Sequence, residues 1–299
     1  MRPDLTRYAW LSLAAAVFTL LLKLLAWKLT GSVGLLSDAL ESLVNLGGAL
    51  MMLSMLRIAA MPPDAGHAYG HSKAEYFSSI VEGLLIVVAA GSILWAALPR
   101  LFDPQPLEGA GLGLAVSVAA SAVNLAVAQV LLRAGRQHRS IALTADGHHL
   151  MTDVWTSGGV VLGVLLVSLT GWNRLDPLLA IAVALNVLWT GRALMRDSVA
   201  GLMDAALPPE DLAQLEAVLD GFRAQGIGFH AVRTRRSASR RFISMHVLVP
   251  GDWSVRRGHA LVEDLEQRIA ACLAPVTVLT HLEPIEDAVS YGDEGLDRP

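Results

Sequence analysis

Charge is scarce in this chain. Lys, Arg, Asp and Glu make up 17% of its 299 residues, against 54% hydrophobic, whereas a soluble domain carries about a quarter charged residues. Cysteine is almost missing: the single Cys272 excludes an intrachain disulfide and any multi-thiolate metal site, which leaves His, Asp, Glu and Asn as metal ligands. HExxH, GxSxG and Walker phosphate-loop motifs are absent too, so hydrolase and ATPase chemistry lack their residues and no enzyme is expected. The net charge of -4 is spread along the chain and points to no nucleic-acid partner. There is no solenoid-type repeat.

What the chain has instead is long apolar runs. About 20 residues suffice to cross a hydrocarbon core of about 30 Å, and six such runs can be drawn, at 8–29, 33–57, 77–101, 110–133, 141–170 and 175–197. The first follows MRPDLTR without a small-residue cleavage signature and reads as a retained helix. With the amino terminus inside, Arg2, Arg7, Arg57, Lys73, Arg133, Arg136, Arg139, Arg192 and Arg196 lie on the cytoplasmic side against Lys28, Arg100 and Arg174 outside. Nine basic residues against three favour both termini in the cytoplasm of a multi-pass plasma (inner) membrane protein.

After Gly201 the composition changes. PPEDLAQLEAVLDGFRAQG and VRRGHALVEDLEQRIAACLA space their apolar residues as amphipathic helices. FHAVRTRRSASRRFISMHVLVPG alternates around a polar SAS turn as a hairpin, and PVTVLTHLEPI reads as a last strand. The expected architecture is a six-helix transmembrane bundle (all-α, 1–203) followed by a small cytoplasmic α/β domain of order α-β-β-α-β (204–290) and a disordered tail (291–299).

Polar residues inside the runs single out the site. In ADGHHLMTDV, His149 and Asp153 are four apart and share a helix face, and in SDALESLVN so do Glu41 and Asn45. Glu41 lies ten residues inside Gly31 and His149 ten inside Arg139, so at about 1.5 Å per residue each is about 15 Å deep. An ionisable group at that depth costs at least about 2.5 kcal/mol and is kept only for a partner or a task. Three oxygen-bearing side chains and one imidazole suit a divalent ion in tetrahedral geometry; the alternative is a hydrogen-bonded clamp between helices. Asp38 and Asp146, one turn away on the same faces, read either as access-path carboxylates or as helix-to-helix hydrogen bonders, while His148 points elsewhere. In the loop MPPDAGHAYGHSKAEY, Asp64, His67 and His71 are spaced to converge on one cation, unless they form only a solvated polar loop. His230, His246, His259, His281 and Glu283 gather in the small α/β unit, as a metal site or as scattered surface histidines.

The ordered set SDALESLVN, GHAYGHSKAE, ADGHHLMTD and LMDAALP, followed by an α-β-β-α-β tail, resembles the cation diffusion facilitators, dimeric metal/proton antiporters. The resemblance spans almost the whole chain. It implies a metallochaperone-like cytoplasmic domain, a transport site at Glu41, Asn45, His149 and Asp153, and a peripheral loop site at Asp64, His67 and His71. It further implies a regulatory metal site at a homodimer interface through His230, His246, His259, His281 and Glu283. Lys73 resembles the family lysine that pairs with an aspartate before the soluble domain, here Asp204. The family's second-span carboxylate is Asn45 in this chain, and its soluble-domain aspartate is Glu283. The expected activity is export of a divalent transition metal, Zn2+ first, with Fe2+, Mn2+, Co2+, Ni2+ and Cd2+ as alternatives, in exchange for protons across the lipid bilayer. Two other readings are a membrane-anchored metal sensor and a non-transporting dimerisation partner.

Overall fold

The computed structural model describes residues 4–30, 33–103, 112–292 and 295. Six long helices come first: α1 (Thr6–Thr30), α2 (Val33–Ala59), α3 (Ala74–Phe102), α4 (Leu112–His138), α5 (Ile141–Thr170) and α6 (Leu175–Leu202). All six are long and apolar enough to span a membrane. Their outward faces stay apolar although nothing among the described residues covers them, as Trp95, Phe102, Leu169 and Trp189 show; lipid is the solvent that such a surface requires.

The inward faces build two clusters. Met52, Leu53 and Leu56 of α2 meet Ala128 and Leu131 of α4 and Leu143 and Leu150 of α5. Ile86 and Ala90 of α3 pack with Ala145 of α5 and with Val187 and Leu194 of α6. Where apolar contact is interrupted, hydroxyls bridge: Ser79 and Ser198 join α3 to α6 at 2.7 Å. Ser140, the N-cap of α5, accepts from Leu143 N at 3.4 Å and donates to the buried Glu75 of α3 at 2.5 Å. One side chain thus satisfies an orphan helix amide and a buried carboxylate together. The other end of α5 stops at Gly171, whose φ of 71° is the left-handed conformation that glycine adopts without steric cost.

The chain divides into two compact units at Val199/Ala200. The second holds α7 (Pro209–Arg223), β1 (Gly228–Ser237), β2 (Arg240–Val249), α8 (Val255–Leu273) and β3 (Val276–Pro284). Strand order is β1-β2-β3, with the hairpin antiparallel and β2–β3 parallel. Leu215, Leu219 and Phe222 of α7 and Leu265 and Ile269 of α8 form one core with Ile243, Met245 and Val247 of β2. Within it Arg241 binds Asp211 through two bonds, Nε to Oδ2 at 2.7 Å and Nη2 to Oδ1 at 3.1 Å, and both residues are buried. Nη1 donates to Leu273 O at 2.8 Å, so the guanidinium ties the start of α7 to the end of α8. After β3, Ala288–Tyr291 form a 3-10 turn, and Tyr291 donates its hydroxyl to Ile285 O at 3.0 Å.

Candidate metal centre

The two four-residue spacings meet inside the helix bundle. Asn45 donates from Nδ2 to Asp153 Oδ2 at 2.8 Å, and its Oδ1 stands 2.9 Å from His149 Nε2. A carboxylate can only accept, so Asp153 dictates which way the Asn45 amide points; Asn45 Oδ1 then accepts from a hydrogen on His149 Nε2. Three side chains of the expected set, from α2 and α5, therefore form one chain of hydrogen bonds. The fourth, Glu41, lies on the same stretch of α2 and lines a cavity of about 310 Å³ together with Lys23, Ser92, Asn124, Asp153 and Thr156. Lys23, Glu41 and Ser92 sit toward the helix ends opposite the loop 60–73, so the cavity extends from the polar cluster toward those ends.

Two residues absent from the expected set belong to the cluster. Asn124 of α4 donates from Nδ2 to the same Asp153 Oδ2, at 3.1 Å. Glu82 of α3 is fully buried and puts Oε2 3.6 Å from His149 Nδ1. The signal for Glu82 is plain in hindsight: it is the one charged residue of α3 between Glu75 and Arg100, subject to the same membrane cost that singles out Glu41 and His149. Asp146 is buried and interacts with Ser12 of α1, while its Oδ2 has no hydrogen-bond partner. Asp38 lies outside the residues whose side chains are described.

The loop before α3 closes on itself. Asp64 Oδ1 accepts from His67 N at 2.7 Å and Gly66 N at 2.9 Å, and its carboxylate lies 3.3 Å from His67 Nδ1 and 3.3 Å from His71 Nε2. The His67 amide, more than any other group, holds the Asp64 carboxyl below the usual carboxylate range. One ligand atom from each of the three side chains falls within 4.8 Å of the others, the spread that a single cation could gather.

In the second unit the sheet builds a cluster by register. His230, His246 and His281 occupy one rung across β1, β2 and β3, so their side chains share a face, and Glu283 joins them two residues along β3. Its Oε2 lies 2.8 Å from His230 Nε2 and 3.2 Å from His246 Nδ1, and its Oε1 lies 3.4 Å from His281 Nε2. A β-bulge after His230, with Ala231 at φ 49°, re-aims the edge strand at this point. His259 is not brought to the cluster within one chain. It is exposed on α8 and faces Glu263 one turn on, at 4.0 Å, because helical spacing turns it from the sheet. Asp204, expected to pair with Lys73, stands 3.2 Å from Arg235 Nη1.

Comparison with known proteins bears on the family of the chain. Residues 9–203 match the cation efflux transmembrane domain and residues 207–285 the cytoplasmic domain of cation efflux proteins. An uncharacterized transporter of Synechocystis is 52% identical over 284 residues, covering 95% of this chain and 92% of its own. The cation-efflux pump FieF of Serratia proteamaculans is 31% identical over 283 residues, covering 94% of this chain and 93% of that one. The solved structure of CzrB in its zinc form is 32% identical over a stretch covering 26% of this chain and 90% of that one, with a TM-score of 0.25. With six membrane helices and both cation efflux domains in order, this chain is a multi-pass membrane protein of the cation efflux family of metal transporters.

Proposed function

We propose that the chain is a secondary antiporter that exports a divalent transition metal, zinc first, in exchange for protons, and that Glu41, Asn45, His149 and Asp153 hold the transported ion. The observation that carries this reading is the joining of an amide, an imidazole and a carboxylate from two membrane helices beside a polar cavity on which Glu41 and Asp153 both open. One nitrogen and three oxygen donors suit zinc, and iron, manganese, cobalt, nickel and cadmium are the metals to compete against it. A metal takes the place of the hydrogen on its ligand, so ion and proton compete for the same atoms, and that competition is the exchange. Alternating access is a movement of the helices that presents the site first to one face, then to the other.

With both termini in the cytoplasm of the plasma membrane, the cavity faces outward. The Asp64, His67 and His71 cluster is then a peripheral inner site, and the His230, His246, His281 and Glu283 cluster a regulatory one in a homodimer. A Lys73 to Asp204 pair would link the bundle to the regulatory domain, with His259 reaching the metal site across the dimer. In vesicles with an imposed pH gradient, His149→Ala and Asp153→Ala should insert normally but reduce zinc flux to that of protein-free vesicles. Normal flux from either purified variant would overturn the proposal and favour a membrane-anchored sensor.

A further inference from the structure

Glu82 is buried among helices with neither of its carboxylate oxygens hydrogen-bonded. Buried acceptors are almost always paired, so an unpaired carboxylate in a membrane helix asks for a partner that arrives in another state. Space for it comes from Gly48 of α2: a Cβ there would stand 2.6 Å from Glu82 Oε1. Gly48 follows Asn45 by three residues, so the face of α2 that presents Asn45 also makes room for Glu82.

What Glu82 faces is His149 Nδ1, 3.6 Å away and likewise without a hydrogen bond. The hydrogen of the neutral ring is committed to Nε2 by Asn45 Oδ1, which leaves a bare lone pair at Nδ1 turned toward a carboxylate. That mismatch ends when Nε2 exchanges its hydrogen for a cation. The neutral ring must then carry its hydrogen on Nδ1, where a carboxylate is waiting. Metal-bound histidines ordinarily donate their second N–H to a carboxylate or carbonyl, which fixes the ring and strengthens the ligand. Asp146 interacts with Ser12 of α1 and leaves Oδ2 without a hydrogen bond, so Glu82 is singled out by its 3.6 Å approach to Nδ1.

We infer that Glu82 is a positioning residue of the transport site: it accepts the Nδ1–H of His149 in the cation-bound state and holds Nε2 on the ion. It also brings, beside Glu41 and Asp153, the third carboxylate that Asn45 withholds. This role rests on the reading of the site as a cation carrier.

The test uses the full chain in nanodiscs, labelled with nitrogen-15 histidine and titrated with Zn2+, with the His149 signals assigned by their loss in His149→Ala. Zinc should shift Nε2 and move the hydrogen to Nδ1. Glu82→Gln should weaken zinc binding read from that signal about 10- to 100-fold, and in Glu82→Leu the Nδ1–H of the zinc-bound ring should lose its hydrogen-bonded shift. The zinc-free chain of both variants should melt no lower than the wild type, because each removes an unpaired buried carboxyl group; a purely architectural Glu82 would lower the melting temperature and leave zinc affinity alone. If wild-type His149 responds to zinc and Glu82→Gln matches it in affinity and tautomer, the role of Glu82 is overturned while the site stands. If wild-type His149 does not respond, the carrier reading falls and the role of Glu82 falls with it.

Discussion

Replacing Asn45 by aspartate tests the site at its most unusual position. In the native cluster Asn45 donates to Asp153 Oδ2 at 2.8 Å, and a hydrogen bond to a charged acceptor contributes about 1.5–3 kcal/mol. Asn45→Asp removes that bond and sets two carboxylates face to face. At about 4 Å and an effective dielectric of about 20 their repulsion is about 4 kcal/mol. The cation-free site is thus destabilised by about 6 kcal/mol in all, a load that either a divalent ion or one proton removes. With Glu41 and Asp153 the formal charge is -2, and the substitution makes it -3. The variant should therefore bind zinc and cadmium more tightly and release up to one more proton per ion. The sign follows: protons compete, so its advantage over the native chain shrinks as pH falls and grows by up to about tenfold per pH unit as pH rises, about 1.4 kcal/mol each. Calorimetry of zinc and cadmium binding at pH 6, 7 and 8 reads this directly, in a full-length background in which His71→Ala and Glu283→Ala disable the other two clusters. An unchanged metal profile and an unchanged pH slope would show that Asn45 lies outside the reach of the ion.

Two further predictions concern the parts outside the membrane. Asp211→Ala leaves Arg241 buried with the carbonyls of Leu273 and Ala274 as its side-chain partners among the described residues, which should cost about 3–5 kcal/mol; hydrogen exchange of the full chain should show β1 and β2 losing protection together, and retained protection would contradict the buried-pair argument. Asp64, held low by the His67 and Gly66 amides, should keep its charge and its turn below the ordinary Asp value of about 3.9 and lose both only as pH falls through its own lower value. A carbon-13 titration of its carboxyl with a midpoint at or above that ordinary value would refute the assignment.

Some of this was legible because helical period and membrane cost act within one segment. A four-residue spacing places Glu41 with Asn45 and His149 with Asp153 whatever surrounds them, and burial of ionisable groups in apolar runs marks both segments as functional. The sheet order and its cross-rung cluster were harder. His230, His246 and His281 are far apart in sequence and meet only because β2 pairs antiparallel with β1 and parallel with β3, and register is a property of the pairing, not of any one strand. His259 is a histidine among histidines in sequence, and within one chain helix α8 turns it toward Glu263 and solvent. Asn124 and Glu82 were missed because each stands on its helix without a metal-capable neighbour at helical spacing, so nothing local distinguishes a ligand's partner from an isolated polar residue. Yet membrane cost does not require a pair. A lone carboxylate in an apolar span, such as Glu82, is kept against the same penalty as a paired one, so the solitary residue carries as much information as the spaced motif, and what it lacks in sequence is only the identity of the side chain that it faces.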